Sequence, residues 1–212
     1  MNENLSNSLD LFRFDPVRTE TTLDFIKKSE LGRIIRKSSF SKKRINAFEQ
    51  VVAETVAVSS SLLMLDPERI DFGAGSGISS FGKPNMAMTE AFQNGDGRIV
   101  FSTSYLNAHL NDQRGNMDFH IQSYQFVHPA SVTAHEMRHI RQRKDNLRQV
   151  IADLALASDG RIKWQDTISE KEAASFENYY MDLVIKYAIN DKRRGNLYGI
   201  FLPQFSPDFG RI

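Results

Sequence analysis

The chain has 212 residues, 41% of them hydrophobic and 25% charged, with a net charge of +1. That balance suits one sizeable globular domain and argues against a dedicated nucleic-acid or membrane binder. Cysteine is absent, which excludes a disulfide framework and thiolate ligands, so a metal site here has to be built from His and carboxylates.

No apolar run approaches the ~20 residues of a membrane span. Met1 to Asn7 lacks a basic stretch followed by an apolar one, so no secretory signal is expected. This pattern fits a cytoplasmic protein, and equally an effector exported by a dedicated secretion system. Residues 1–20 read as a flexible arm, with Leu9 to Val17 packing as an extended piece, and 21–212 as a single domain.

Thr22 to Ile35 reads as a short helix. A basic run follows, with Arg33, Arg36, Lys37, Lys42, Lys43 and Arg44. It reads as a solvated connection between helices, because acidic residues elsewhere bring the chain close to neutral. From Ile45, the spacing of Phe48, Val52, Val56 and Leu63 predicts a long amphipathic helix ending near Asp66-Pro67. Arg69 to Phe72 is expected to be a strand leading into a flexible loop at Gly73-Ala74-Gly75-Ser76-Gly77, which lacks the phosphate-binding pattern. Thr89 to Phe92, a turn at Asn94 to Gly97, and Arg98 to Tyr105 read as a hairpin. If either strand is an exposed edge, an extended peptide backbone could add to it.

The decisive stretch is Thr133-Ala134-His135-Glu136-Met137-Arg138-His139-Ile140. On a helix His135 and His139 lie one turn apart on one face, spaced to share a metal ion, and Glu136 sits beside them. Two imidazoles and a water suit Zn²⁺, one ion per chain, and the adjacent carboxylate is placed to act as general base. The bland reading is a Thr133/Glu136 capping box with both His residues on the helix surface. His109, His120 and His128 read as surface or hydrogen-bonded residues. Asn146 to Ala157 continues as helix to a turn at Ser158-Asp159-Gly160, and Ile162 to Trp164 reads as a brief extended piece.

A third ligand must be a carboxylate or an upstream His, because no His follows His139. The longer metzincin pattern fails, since position 142 is Gln and 145 is Asp. Ala173, Phe176, Tyr180, Val184 and Tyr187 form an apolar stripe on a helix that starts near Ser169. Glu170 and Glu177 fall on or beside that stripe, whereas Glu172 points away and can cap the helix with Ser169. Glu170 ranks first, with Glu177 and then Glu172 as alternatives. Tyr179 and Tyr180 carry hydroxyls that could stabilise a transition state.

His135-Glu136-x-x-His139 followed by Glu170-Lys171-Glu172-Ala173-Ala174-Ser175-Phe176 resembles the gluzincins, with HExxH and then ExxA on the next core helix. It is most similar to the ImmA/IrrE-type metallopeptidases and, more loosely, to bacterial effector metalloproteases. The resemblance covers about forty residues. It implies an α+β zincin-like domain, mostly helical with a small sheet before the HExxH helix. It also implies that His135, His139 and Glu170 bind zinc and that Glu136 is general base. The expected activity is endopeptidase cleavage of a protein or peptide substrate. Family members often carry Asn or Asp after the Ala, bonding back to a ligand His. This chain has Ala174 there, so its imidazoles must be oriented by other residues. The competing expectation is an inactive metal-fold binding protein that uses residues 33–44 for nucleic acid or an acidic partner. Oligomeric state is not legible in the sequence.

Overall fold

The structure is a computed structural model and describes residues 15–76, 79–80, 83–84, 86–92, 94–111, 127–188 and 191–201. Asp15 opens the first helix, its side chain accepting from the Val17 and Arg18 amides at 2.9 and 3.1 Å, with Pro16 preset for the first helical position. The helix α1 (Pro16–Lys28) therefore takes in the last residues of the expected arm. Leu9, Phe12 and Phe14 lie outside the described residues.

The single helix expected over Thr22 to Ile35 is two, α1 and α2 (Glu30–Lys37), broken at Ser29. Ser29 is extended, and its hydroxyl donates to the Ile26 carbonyl at 2.7 Å while accepting from the Gly32 amide at 3.3 Å. Gly32 permits the corner, because a Cβ there would stand 2.3 Å from the Ile26 carbonyl oxygen.

Helix α3 (Lys42–Leu63) is the central element. The sequence suggests one buried face, but Glu49, Glu54, Thr55, Ser59 and Ser60 are buried as well as the apolar stripe, so its middle is enclosed all round. Glu49 is satisfied by a two-pronged ion pair with Arg36, with nitrogen-to-oxygen distances of 3.0 and 2.6 Å. Arg44 donates to the His109 carbonyl at 2.8 Å. Two members of the basic run thus hold the fold together, while Lys37, Lys42 and Lys43 stay exposed.

Three strands form the main sheet in the order β1-β5-β4. β1 (Ile70–Gly75) runs parallel to the central β5 (Gly97–Ser102), and β4 (Ala87–Ala91) pairs antiparallel to it. A two-residue ladder joins β2 (Ser79–Ser80) to β3 (Lys83–Pro84). Gly73 to Gly75 belong to β1 rather than to a loop. The Arg98 guanidinium lies over this strand, and a Cβ on Gly73 would come within 2.8 Å of it. Arg98 itself bridges Glu30 and Asp71. The hairpin turn is present, but its second strand ends at Ser102. The Ser102 hydroxyl accepts from the Tyr105 amide at 3.1 Å and starts α4 (Thr103–Leu110), so Thr103 to Tyr105 are helical. Among the described residues β4 pairs only with β5, leaving its other edge open.

The rest is helical: α5 (Pro129–Ser158), α6 (Ile168–Ala188) and α7 (Lys192–Gly199), with a 3₁₀ turn at Trp164–Asp166 where an extended piece is expected. The architecture is α+β, mostly helical with one small sheet. No helix among the described residues is long and apolar enough to cross a membrane. α5 packs most extensively on α6, and also on α3, β4 and β5. Ile140 of α5, fully buried, presses on Gly97, where a Cβ would lie 2.6 Å from its terminal methyl. Gly97→Ala is expected to push this stiff side chain off its rotamer and cost about 1–3 kcal/mol. Urea denaturation beside wild type measures it.

Candidate metal centre

Helix α5 begins earlier than a cap at Thr133 would require. His128 is its N-cap, Nδ1 accepting from the Ala130 amide at 3.0 Å and Nε2 donating to the Tyr198 carbonyl at 3.1 Å, and Pro129 follows. Thr133 lies inside the helix, its hydroxyl bonded to the Pro129 carbonyl at 2.7 Å. The Thr133/Glu136 capping box therefore does not form, and Glu136 has other partners. One turn apart on α5, His135 and His139 converge with their Nε2 atoms 3.2 Å from each other.

Glu170, in the first turn of α6, completes a cluster. Its carboxylate oxygens lie 3.4 Å from His135 Nε2 and 2.9 Å from His139 Nε2. The three residues could hold a metal ion, each offering one ligand atom. Ligands at the usual zinc distances in a tetrahedron stand about 3.3–3.4 Å apart, so this donor set fits zinc with small adjustments. The two alternative third-ligand candidates of α6 do different work. Glu177 accepts from His135 Nδ1 at 3.0 Å, on the ring edge away from the cluster, and from the Ser131 hydroxyl. Glu172 is bound to Arg138 at 2.8 Å and to Gln142 at 3.1 Å. It forms no capping box with Ser169. Thr167 caps α6 instead, accepting from the Glu170 amide at 3.2 Å.

The imidazoles are oriented from behind. Glu177 fixes His135 through Nδ1, and Gln142 Oε1 accepts from His139 Nδ1 at 2.8 Å, so both rings keep Nε2 for the cluster. Gln142 also donates to the Ser169 carbonyl at 2.8 Å, tying α5 to the residue before Glu170. From the far half of α5, Asp153 accepts from the Ser169 amide and hydroxyl at 2.8 and 2.6 Å. Burial alone would raise the Asp153 carboxyl, but these bonds and one from Gln149 outweigh it and lower it below the ordinary range.

Burial also works against charge at the cluster and is overcome there. It would lower the His135 imidazole, yet hydrogen bonds to Glu170 and Glu177 and the nearby Glu136 charge push it up to about 10. It would raise the Glu170 carboxyl, yet the two imidazoles bring it down to about 2. The space between α5 and α6 thus pairs two imidazoles with the carboxylates of Glu170 and Glu177, and within it His135, His139 and Glu170 could hold a cation.

Glu136 is buried, and its Oε2 accepts from the Thr89 hydroxyl of β4 at 2.5 Å. The motif is therefore anchored to β4, whose far edge is unpaired among the described residues. A cavity of about 410 Å³ spans both, lined by the cluster, by Met88 and Thr89, by Val150 and Leu154, and by Trp164. Val150 and Leu154 reach it because α5 is kinked at Asn146 (φ −147°, ψ 59°). Asn146 acts as a new N-cap there, its side chain accepting from the Gln149 amide at 3.3 Å. In a straight helix His135 and Leu154 would be about 28 Å apart.

Neither tyrosine considered for the transition state lines this cavity. Tyr180 is fully buried with its hydroxyl directed at Thr55 and Tyr198, and Tyr179 lies in a shallow groove with Arg138 and Glu172. His109 is buried against Tyr105 and Phe201, away from the cluster, and His120 lies outside the described residues. The functional positions that sequence reasoning missed are Thr89, Gln142 and Asp153. A signal existed for two of them: Gln142 follows His139 by three residues on one helix face, and Asp153 interrupts an apolar stripe of Val150, Leu154 and Ala157.

The chain matches no protein-family profile, and no curated protein and no solved structure is significantly similar to it.

Removing an orienting group should weaken the metal site without emptying it. Gln142→Ala and Glu177→Ala are each expected to lower zinc affinity roughly 10- to 100-fold, read by competition with a chelating dye. A second prediction concerns the helix start. Burial brings the His128 imidazole down to about 4, below its unfolded value of about 6.5. Between those values the unfolded chain takes up a proton that the folded chain refuses. The stabilisation is therefore whole above about pH 6.5 and is lost as the pH falls toward 4, by up to roughly 3 kcal/mol. Denaturation at pH 7 and pH 4.5 should show a larger acid loss for wild type than for His128→Asn, which keeps a capping side chain and does not titrate there.

Proposed function

We propose that this protein is a zinc-dependent peptidase with a zincin-like domain, an endopeptidase that hydrolyses peptide bonds in a protein or peptide substrate. The observation that carries this reading is the convergence of His135, His139 and Glu170 in a cavity whose wall also holds Glu136 and an open strand edge. The nucleic-acid alternative gains nothing from the basic run, two of whose arginines are bonded into the fold.

His135, His139 and Glu170 would hold the zinc, which when bound supplies a Lewis acid and a water of lowered pKa. The chain's own groups do the rest. Thr89 ties Oε2 of Glu136, leaving Oε1 to accept the proton of the attacking water. Glu136 then gives that proton to the departing amine. Glu177 and Gln142 hold the two imidazoles in one tautomer throughout. The open edge of β4 can hydrogen-bond an extended substrate backbone and draw its carbonyl past Glu136. An endopeptidase suits an edge of this kind, which grips backbone and requires no chain terminus.

Metal content measured by plasma mass spectrometry tests the ligand set. Wild type should carry near-stoichiometric zinc, and His139→Ala and Glu170→Ala should lose it. Glu136→Gln should keep its zinc while hydrolysis of a quenched fluorescent peptide library falls roughly 10²- to 10⁴-fold. Wild type without metal even after zinc is supplied, or hydrolysis undiminished in Glu136→Gln, would overturn the proposal.

A further inference from the structure

Arg143 stands apart among the residues that line the cavity. It follows His139 by one turn of α5 and Glu136 by two, so all three share a helix face. Its neighbours Arg138 and Arg141 reach the carboxylates of Glu172 and Asp145 at 2.8 and 2.5 Å. Arg143 is half-buried, and among the described residues it has no carboxylate partner. Among the described residues its one hydrogen bond runs from Nη1 to the Ala91 carbonyl at 3.3 Å. A guanidinium carries five donors in a planar fork suited to a carboxylate.

The rest of the cavity sharpens the point. Each carboxylate lining it already has a partner: Glu170 and Glu177 the imidazoles, Glu136 the Thr89 hydroxyl. Met88, Val132, Val150, Leu154 and Trp164 are uncharged. Apart from the imidazoles and the metal site, Arg143 is the cationic group among the described residues that line this cavity. Its position along the cleft can also be stated. Glu136 is held at Thr89 and Arg143 at Ala91, two residues further along β4, about 7 Å in strand rise.

From this placement we propose that Arg143 is a specificity-determining residue that selects a substrate carboxylate about two residues from the scissile bond. In the endopeptidase reading the carboxylate is an acidic side chain; a free C-terminus would suit the same fork but would make the enzyme an exopeptidase, and the test separates the two. The inference rests on the peptidase reading and deepens it by naming a substrate class.

The test uses ligand binding and needs no turnover. Four short peptide hydroxamates that chelate zinc would be compared, with Glu or Gln as the second residue and a free or amidated C-terminus. Each is titrated calorimetrically into full-length, zinc-loaded wild type and Arg143→Gln. Wild type should bind the ligand with the matching carboxylate roughly 10- to 100-fold tighter than its amide counterpart. The arm that shows the preference identifies the source, side chain or terminus. In Arg143→Gln the preference should vanish while zinc content is unchanged. A residue that merely clamps Ala91 would leave the preference in place. Should that variant fail to fold, the wild-type preference should still weaken as salt is raised, and Arg143→Lys should retain part of it. Equal binding of acid and amide by wild type would overturn the role of Arg143 while leaving the metal reading intact. Zinc-loaded wild type that binds none of the four would overturn both.

Discussion

Two imidazoles and three carboxylates meet where α5 crosses the first turn of α6, and most of the neighbouring structure serves to hold them there. Burying that much negative charge is costly in an apolar interior unless something positive shares the space. Burial would lower the His135 imidazole, but hydrogen bonds to Glu170 and Glu177 push it up to about 10. His135, His139 and Glu170 also converge closely enough that they could hold a metal ion.

The contacts behind the cluster explain how two helices keep such a register. His128 and Pro129 set where α5 begins, and so the rotation at which His135 and His139 face α6. Asp153 and Gln142 grip Ser169 from two places, which fixes where α6 begins and brings Glu170 into reach. Ala173, fully buried, lets the helices stay close just beyond it. Thr89 supplies the link to the sheet.

How much of this is legible in the letters depends on the range of the interaction. The motif histidines are a relation between positions four apart on one helix, and periodicity alone reveals them. Glu170 ranks above Glu172 in the sequence because it lies nearer the α6 stripe, and the structure places it beside both imidazoles. Glu177 shares the helix face of Glu170 and reads as the first alternative ligand on that ground. Two turns along, about 10 Å by helix rise, it meets the far nitrogen of His135 instead of the near one. Tyr180 fails for a related reason: it lies on the apolar stripe, but the stripe turns toward α3 by that point. Thr89 could not have been found, since its role depends on a strand 47 residues away in sequence. Gly73 and Gly75 read as a loop because glycine usually signals one, whereas Gly73 makes room for the Arg98 side chain. The break at Ser29 needed only one hydroxyl in place of one helical hydrogen bond, too small a change to show in a hydrophobic pattern.

The bend at Asn146 divides α5 into two parts with separate duties. The first carries His135, Glu136 and His139; the second, swung back across the cleft, contributes Val150 and Leu154 to its lining. Asp153 in the second part still anchors Ser169, so the parts are not independent, but substitutions at Val150 or Leu154 alone can remodel the cleft wall while the imidazoles stay put.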